Sequence, residues 1–265
     1  MGRIRIGYLE MRGGVASMVV KSAVKNAHTV SKSYIRAWAD HKNVVDVIDR
    51  QDGRGYPSSY LSATVVRYGY DSEILSYDLE HEYGRIEDRG LPAIVRLRKG
   101  CTLTAAERNA VVAFLDMYLD RGRYADQAKT RVPAVVLKTG GQIEHAEITL
   151  GDRLVLSQSL PDVLRLSALG LGQWPWQVRD TPDLVTGDGA VLLWETTKGA
   201  GICTVSFPLS PTQLLVIGQD FPDDVQFIHG LNPRIVANSK RWIVGARGTL
   251  DVKHAKFVAT RPSHV

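Results

Sequence analysis

His28 lies in the stretch KNAHTVSKSYIRAW, residues 25–38, and is followed by Ser31, Lys32, Tyr34 and Trp38. An imidazole is the side chain whose ordinary pKa lets it take up or release a proton near neutral pH. With a hydroxyl and an amine within one or two helical turns, it suits a general acid, a general base or a phosphate donor. The structural alternative is a capping or core histidine at the start of a helix. Tyr34 and Trp38 lie four apart, so on a helix they share one face and read as core.

Carboxylates and guanidinium groups supply the remaining candidates. Glu80 and Glu87 are spaced by two helical turns and fall on one face. With Asp78 and Glu82 nearby, they offer oxygen ligands to a hard cation such as magnesium. A solvated acidic face beside Arg85 and Arg89 is the simpler explanation. Arg121 and Arg123 end a helical stretch, where cations complement the dipole; an arginine pair also suits a phosphate. Asp188 stands in TGDGAVLL, a glycine-flanked turn that opens a strand. There it either bonds its own backbone or occupies a strand-end position common for catalytic carboxylates. Ser210, in the proline-bracketed FPLSP, reads as a turn residue.

Familiar constellations are missing. The chain has no GxxxxGK[ST] loop, no HExxH and no GxSxG elbow. GLGQWPWQ holds glycines but does not join a strand to a helix, so no tightly bound nucleotide cofactor is expected. Cys101 and Cys203 lack metal-type spacing, and two distant cysteines fit a reducing cytoplasm better than a disulfide framework. MGRIRIGYLEMRGG lacks the apolar run of a signal peptide, GVASMVV is too short to span a bilayer, and no membrane partner is expected. The net charge of +5 is carried by the first half: residues 1–132 hold 21 Lys+Arg against 16 Asp+Glu, and residues 133–265 hold 12 against 12. A basic first half points to a phosphate-bearing partner or to a merely soluble basic protein.

The elements that must position these residues suggest an α+β chain read as a single domain over 1–265. A helical layer occupies about 1–130, packed on a mostly antiparallel sheet in about 131–265. RIRIGYLEMR reads as an initial strand, NVVDVID as a short strand and RQDGRGYPSS as turn chemistry. Residues 71–99 read as mostly helical, with Ile74, Leu75, Leu79, Tyr83 and Ile86 on one stripe and an interruption at Gly90 and Pro92. The next helix takes Thr104 and Glu107 as a capping box, presents Val111, Leu115, Tyr118 and Leu119 to a core, and stops at Gly122. PAVVLK, AEITL and RLVLS read as strands, SLPDVLRLSALG as a short helix capped by Ser159, and QWPWQVRD through QLLVIG as antiparallel strands. PDDVQFIHGLNPRIVANSKRWIVGA reads as helix with a break at Asn232-Pro233.

These spacings resemble a widespread bacterial family, domain of unknown function 4238. His28, Val30, Tyr34 and Ile35 look like its opening His-Tyr-Val-Pro…Tyr-Leu signature. Glu80, Glu87, the helix ending at Arg121, LVTGDGAVLL, FPLSP and LNPRIVANSKRWIVGA are similar to its later motifs, so the likeness spans roughly 26–246. Thr29 and Ser31 stand where Tyr and Pro are usual, Gly187 replaces a serine and Ala190 a proline, and the chain is shorter than typical members. The resemblance keeps His28, Tyr34, Asp188 and Asn232, raises His28 from a cap to a site residue, and implies no reaction.

Two functions are expected from the residues. The first is a small nuclease, acting on RNA rather than DNA, in the manner of a toxin or phage-defence effector. His28, Arg121 and Asp188 would be catalytic and Tyr34, Asn232 and Arg123 would bind substrate. Glu80 and Glu87 would hold magnesium, if any cofactor is used. The second is a binding or regulatory protein with no chemistry, in which the same polar residues lock the helices onto the sheet. A protein partner would then meet Trp174 and Trp176; the number of subunits is not read from the sequence. On the first reading, His28, Arg121 and Asp188 should line one pocket, with Glu87 and Asn232 nearby.

Overall fold

The computed structural model of the chain describes residues 26–67, 78–138, 140–160, 162–197, 199–218 and 225–256. The expected initial strand over RIRIGYLEMR, the segment 13–25, and the helical stripe positions Ile74 and Leu75 lie outside them. In chain order come strand β1 (Asn26–His28), helix α1 (Lys32–Ile35), β2 (Val44–Asp49), β3 (Arg54–Ser59) and β4 (Val65–Arg67). The helices α2 (Leu79–Arg98) and α3 (Ala105–Arg123) follow, then the hairpin β5 (Val132–Leu137) and β6 (Ile143–Ile148), and α4 (Leu150–Gln158). The chain continues through β7 (Trp176–Asp180), β8 (Thr186–Gly187), β9 (Leu192–Glu195), β10 (Ile202–Ser210) and β11 (Gln213–Gly218) to α5 (Val225–Asn238) and β12 (Trp242–Gly245). The class is mixed α+β, with every strand pairing antiparallel.

One four-stranded sheet has the order β7-β11-β10-β9 and comes wholly from the second half. The other has the order β3-β2-β12-β8, so its strands come from both ends of the described chain. Trp242 pairs with Asp49 and Gly245 with Asp46 across that junction. Sheet is therefore not confined to the second half. RGYPSS is strand β3, where turn chemistry is expected. It lies at the edge of its sheet, the position that tolerates Pro57 in a ladder. RWIVGA, expected as helix, supplies β12, because Trp242, Ile243 and Val244 are buried next to β2.

Helix α2 starts at Asp78, whose side chain accepts from the His81 N–H. It buries Leu79, Tyr83, Ala93, Ile94 and Leu97 along one stripe, and it runs unbroken through Gly90 and Pro92. Pro92 is solvent-exposed, so water can satisfy the carbonyl one turn back that its ring leaves without a donor. Gly90 marks the closest approach of α3: an added Cβ would lie 2.8 Å from the Phe114 Cβ. The exposed Pro233 is likewise accommodated inside α5.

The predicted box caps α3. Thr104 accepts from Glu107 N at 3.3 Å while Glu107 accepts from Thr104 N at 2.8 Å. The helix does not stop at Gly122 but continues to Arg123. Gly122 is needed for another reason: a Cβ there would sit 2.0 Å from the Asp188 carbonyl oxygen. RLVLS is not a strand, for Thr149 and Asp152 form a second capping box and start α4 at Leu150. Ser159 closes that helix rather than opening the next, and the expected helix shrinks to a 3-10 turn at Leu166–Leu169. Asp116 of α3 holds the turn through the N–H groups of Leu166 (2.6 Å) and Ser167 (3.0 Å).

The core is centred on aromatics from α1, α3 and β10. Tyr34 stacks on Phe207 at 4.8 Å between centroids and meets Trp38 at 5.0 Å and the edge of Tyr118 at 5.6 Å. All are buried, and each removes enough apolar surface from water to contribute about 1.5–3 kcal/mol or more. Arg98 ties α2 to this centre by donating to the Leu209 carbonyl at 2.6 Å. Trp174 and Trp176 are half-buried against the core, and Trp176 Nε1 donates to the Leu171 carbonyl at 2.9 Å.

Candidate functional site

His28 is the last residue of β1, not the first of a helix; α1 begins four residues later. The ladder to β4 pairs it with Val65. The turn after it is fixed by Thr64 Oγ1 donating to the Val30 carbonyl at 2.8 Å and Thr29 N donating to the Thr64 carbonyl at 3.3 Å. His28 Nε2 lies 3.0 Å from the Leu61 carbonyl oxygen. A carbonyl only accepts, so Nε2 carries the hydrogen and, in the neutral ring, Nδ1 carries the lone pair. Burial lowers the His28 pKa below 6.5, and the charges of Lys32 and Arg121 push the same way. The Leu61 hydrogen bond and Glu87 oppose that shift. At pH 7 the imidazole is a neutral base.

Helices α2 and α3 bring the charged partners. Glu87 accepts from Ser31 Oγ at 3.1 Å through one oxygen and from Arg121 Nη1 at 2.5 Å through the other. Arg121 is only 4% exposed and Glu87 21%, so the pair is shielded from screening on the arginine side. The Arg121 guanidinium also sits 4.5 Å from the centre of the Tyr83 ring, which gives a cation–π contact. Glu80, two turns before Glu87, joins the same neighbourhood. Its carboxyl pKa is raised chiefly by burial, with Glu87 and Asp78 adding and Arg121 and Lys32 opposing. Its Oε2 is buried with no hydrogen-bond partner among the described residues. The structure thus assembles His28, Ser31, Glu80, Glu87 and Arg121 around a common set of charges, with the exposed Lys32 beside them.

The other candidates serve different neighbourhoods. The Asp188 carboxylate is 4% exposed and accepts from the backbone N–H of Lys240 (3.0 Å), Arg241 (3.1 Å) and Trp242 (2.8 Å). Burial pushes its pKa up to about 6 against the pull of those N–H groups. Its backbone carbonyl packs against Gly122, the residue after Arg121. Tyr34 donates to the Pro208 carbonyl at 2.6 Å and bonds Thr186 Oγ1 at 2.8 Å. Asn232 accepts from Val185 N at 3.0 Å and donates to the Asp183 carbonyl at 2.7 Å. Arg123 faces Asp120 at 3.6 Å.

Tyr34, Asn232 and Asp188 therefore hold the segment 183–188. Partners that sequence reasoning did not assign help them: Trp38 Nε1 donates to the Leu184 carbonyl, Tyr118 to the Gly187 carbonyl, and Ser239 Oγ accepts from Gly189 N. Ser31 and Tyr83 complete the charged site. Ser31 stood out only as a neighbour of His28, and Tyr83 only as a stripe residue. Ser210 Oγ accepts from Thr212 N at 3.2 Å within its own turn. Among the described residues, no group of three or more His, Cys, Asp or Glu side chains is arranged to hold a metal ion, and both Glu87 oxygens already have protein partners.

No helix among the described residues is long and apolar enough to cross a membrane. No curated protein and no solved structure matches the chain. Residues 26–145, the segment that carries His28, Glu80, Glu87 and Arg121, match the model of the family described as "Protein of unknown function (DUF4238)". Through that segment the chain is similar to the DUF4238 family.

Proposed function

We propose that the protein is a nuclease acting on RNA, with its site at His28, Glu80, Glu87 and Arg121. The observation that carries this reading is the convergence of an imidazole, a protonation-prone carboxyl and a buried guanidinium from β1, α2 and α3. Burial lowers the His28 pKa and raises that of Glu80, the directions that suit one group to take a proton and the other to give one. Phosphoryl transfer needs such a pair and a positive potential where charge builds up on phosphorus. Arg121 and Lys32 bring two cations to the cluster, beside the carboxyls of Glu80 and Glu87. The basic first half, 21 Lys+Arg against 16 Asp+Glu over residues 1–132, favours a polyanion.

In this reading Arg121 supplies charge from beneath, because it is nearly closed off from solvent, and Glu87 with Ser31 holds it in place. Asp188, Tyr34 and Asn232 act on the fold and not on substrate. The test is incubation of purified protein with total RNA and, separately, with DNA of the same length. Selective loss of RNA that disappears in His28→Ala is expected. Intact RNA, or undiminished cleavage by His28→Ala, overturns the proposal.

A second reading draws on the bonds around 183–189. Tyr34, Trp38, Tyr118, Asn232 and Asp188 all direct polar atoms at that segment or at 240–242. A non-catalytic binding or regulatory protein could use such a lock to keep helices and sheet in one arrangement. It leaves without a purpose the buried Glu80 oxygen that lacks a hydrogen-bond partner, which is why the nuclease reading is preferred.

A further inference from the structure

We infer that the outer cleft between α2 and α3 is a self-association surface, in which α2 of a second copy of this chain lies antiparallel to α2 of the first. The inference goes beyond the nuclease reading and does not rest on it. The cleft holds about 320 Å³ and is lined by Glu82, Ile86 and Arg89 of α2 and by Ala106, Ala110 and Ala113 of α3. Each trio recurs at intervals of four and three residues, so each is one face of its helix. The alanines end at Cβ, which lets another helix come close and set a larger side chain between the two.

Charge decides which helix fits. Glu82 stands at one end of the α2 row and Arg89 at the other, two turns or about 10 Å apart, with Ile86 between them. Arg89 is exposed and makes no hydrogen bond or ion pair among the described residues. Glu82 accepts from Arg85 through Oε1 at 3.3 Å, and its Oε2 makes no hydrogen bond among the described residues. A row with an acid at one end and a base at the other is complementary to itself run backwards. With a two-fold axis between Arg85 and Ile86, Glu82 of each copy faces Arg89 of the other, and the contact is made twice. Ile86 of each copy then enters the alanine hollow of the other. A polyanion would meet Glu82 as well as the arginines, whereas a second α2 meets both ends of the row with the opposite charge. Glu80 and Glu87 lie about 200° around the helix from Glu82 and Arg89, so this docking leaves their face uncovered.

The experiment is sedimentation velocity on the purified full chain from roughly 1 to 100 µM, the range in which a small interface assembles. Expected is a monomer–dimer equilibrium. Arg89→Glu and Glu82→Arg each place like charges together at two points and should weaken it by at least about tenfold. The double variant restores opposite charges and should return to within about threefold of the unaltered protein. It carries both changes, so its recovery also shows that neither one unfolds the helix. A monomer at every concentration overturns the inference. A dimer that Arg89→Glu leaves unchanged, or a folded double variant that associates no more tightly than the single ones, overturns it as well.

Discussion

Removing the Asp188 carboxylate tests whether that residue belongs to the fold or to the chemistry. Asp188→Ala strands three backbone N–H groups, those of Lys240, Arg241 and Trp242, which now lie 2.8–3.1 Å from carboxylate oxygens. Each buried donor left without an acceptor costs about 1–3 kcal/mol. Lys240 is solvent-exposed, so water can relieve one of them; Arg241 and Trp242 are buried. The two buried donors together come to about 2–6 kcal/mol, a large share of the roughly 5–15 kcal/mol that stabilises an ordinary domain. In a protein of this size that lowers the melting temperature by about 10 °C. Asp188→Asn should also destabilise, because its amide N–H group would face a backbone donor. The assay is thermal and urea unfolding at pH 7.5, alongside RNA cleavage measured well below the melting temperature. Cleavage per folded molecule should stay within a few-fold of wild type. An Asp188→Ala protein that melts within about 1 °C of wild type refutes the assignment, as does one that is fully folded and inactive.

Glycine substitutions separate close contact from helix propensity. Gly122→Ala forces a Cβ to within 2.0 Å of the Asp188 carbonyl oxygen and should leave little folded protein, whereas Gly84→Ala meets nothing within 4 Å inside α2 and should gain about 0.5–1 kcal/mol in urea unfolding. Thr149→Ala should cost about 1 kcal/mol by removing the cap of α4, measured by the urea midpoint; no change would count against the capping box. Activity should follow a bell-shaped pH profile. It falls on the acid side as His28 gains a proton, below its ordinary 6.5, and on the alkaline side as Glu80 loses one, above its ordinary 4.5. Asp78, Glu87, Lys32 and Arg121 set those limbs, and the negative charge of Glu87 raises both groups, so Glu87→Gln should move both limbs to lower pH; a shift to higher pH would contradict the charge assignment.

Local signals were legible where the chemistry is local. Thr104 and Glu107 lie within one turn, and that turn alone decides the cap of α3. The apolar runs of β10 and β11 likewise follow from their own residues, which are buried along most of both strands. The same capping logic applies to Thr149 and Asp152 but was outweighed by the apolar look of RLVLS. Pro57, Pro92 and Pro233 were read as breaks, yet each stands at an edge or an exposed face, and exposure is a property of the packed molecule. β12 could not be seen from its own segment, because its strand character comes from β2, far away in the chain.

The site divides the same way. The type and spacing of His28, Glu80, Glu87 and Arg121 were visible, and the structure brings them together. Asp188 and Asn232 look equally functional in sequence, since a polar residue in a turn or helix has the same letter whether it meets substrate or backbone. Only the fold shows that their bonds go to 240–242 and to 183–185.

Glu80→Gln tests the central claim most directly, because the amide keeps the size of the side chain and removes only its proton chemistry. A neutral amide is no harder to bury than a carboxylate, so the melting temperature should stay within about 2 °C of wild type. The account predicts that this folded variant cleaves RNA at least 100-fold more slowly than wild type, the scale of a lost general acid. A folded Glu80→Gln protein that cleaves RNA at the wild-type rate would contradict it.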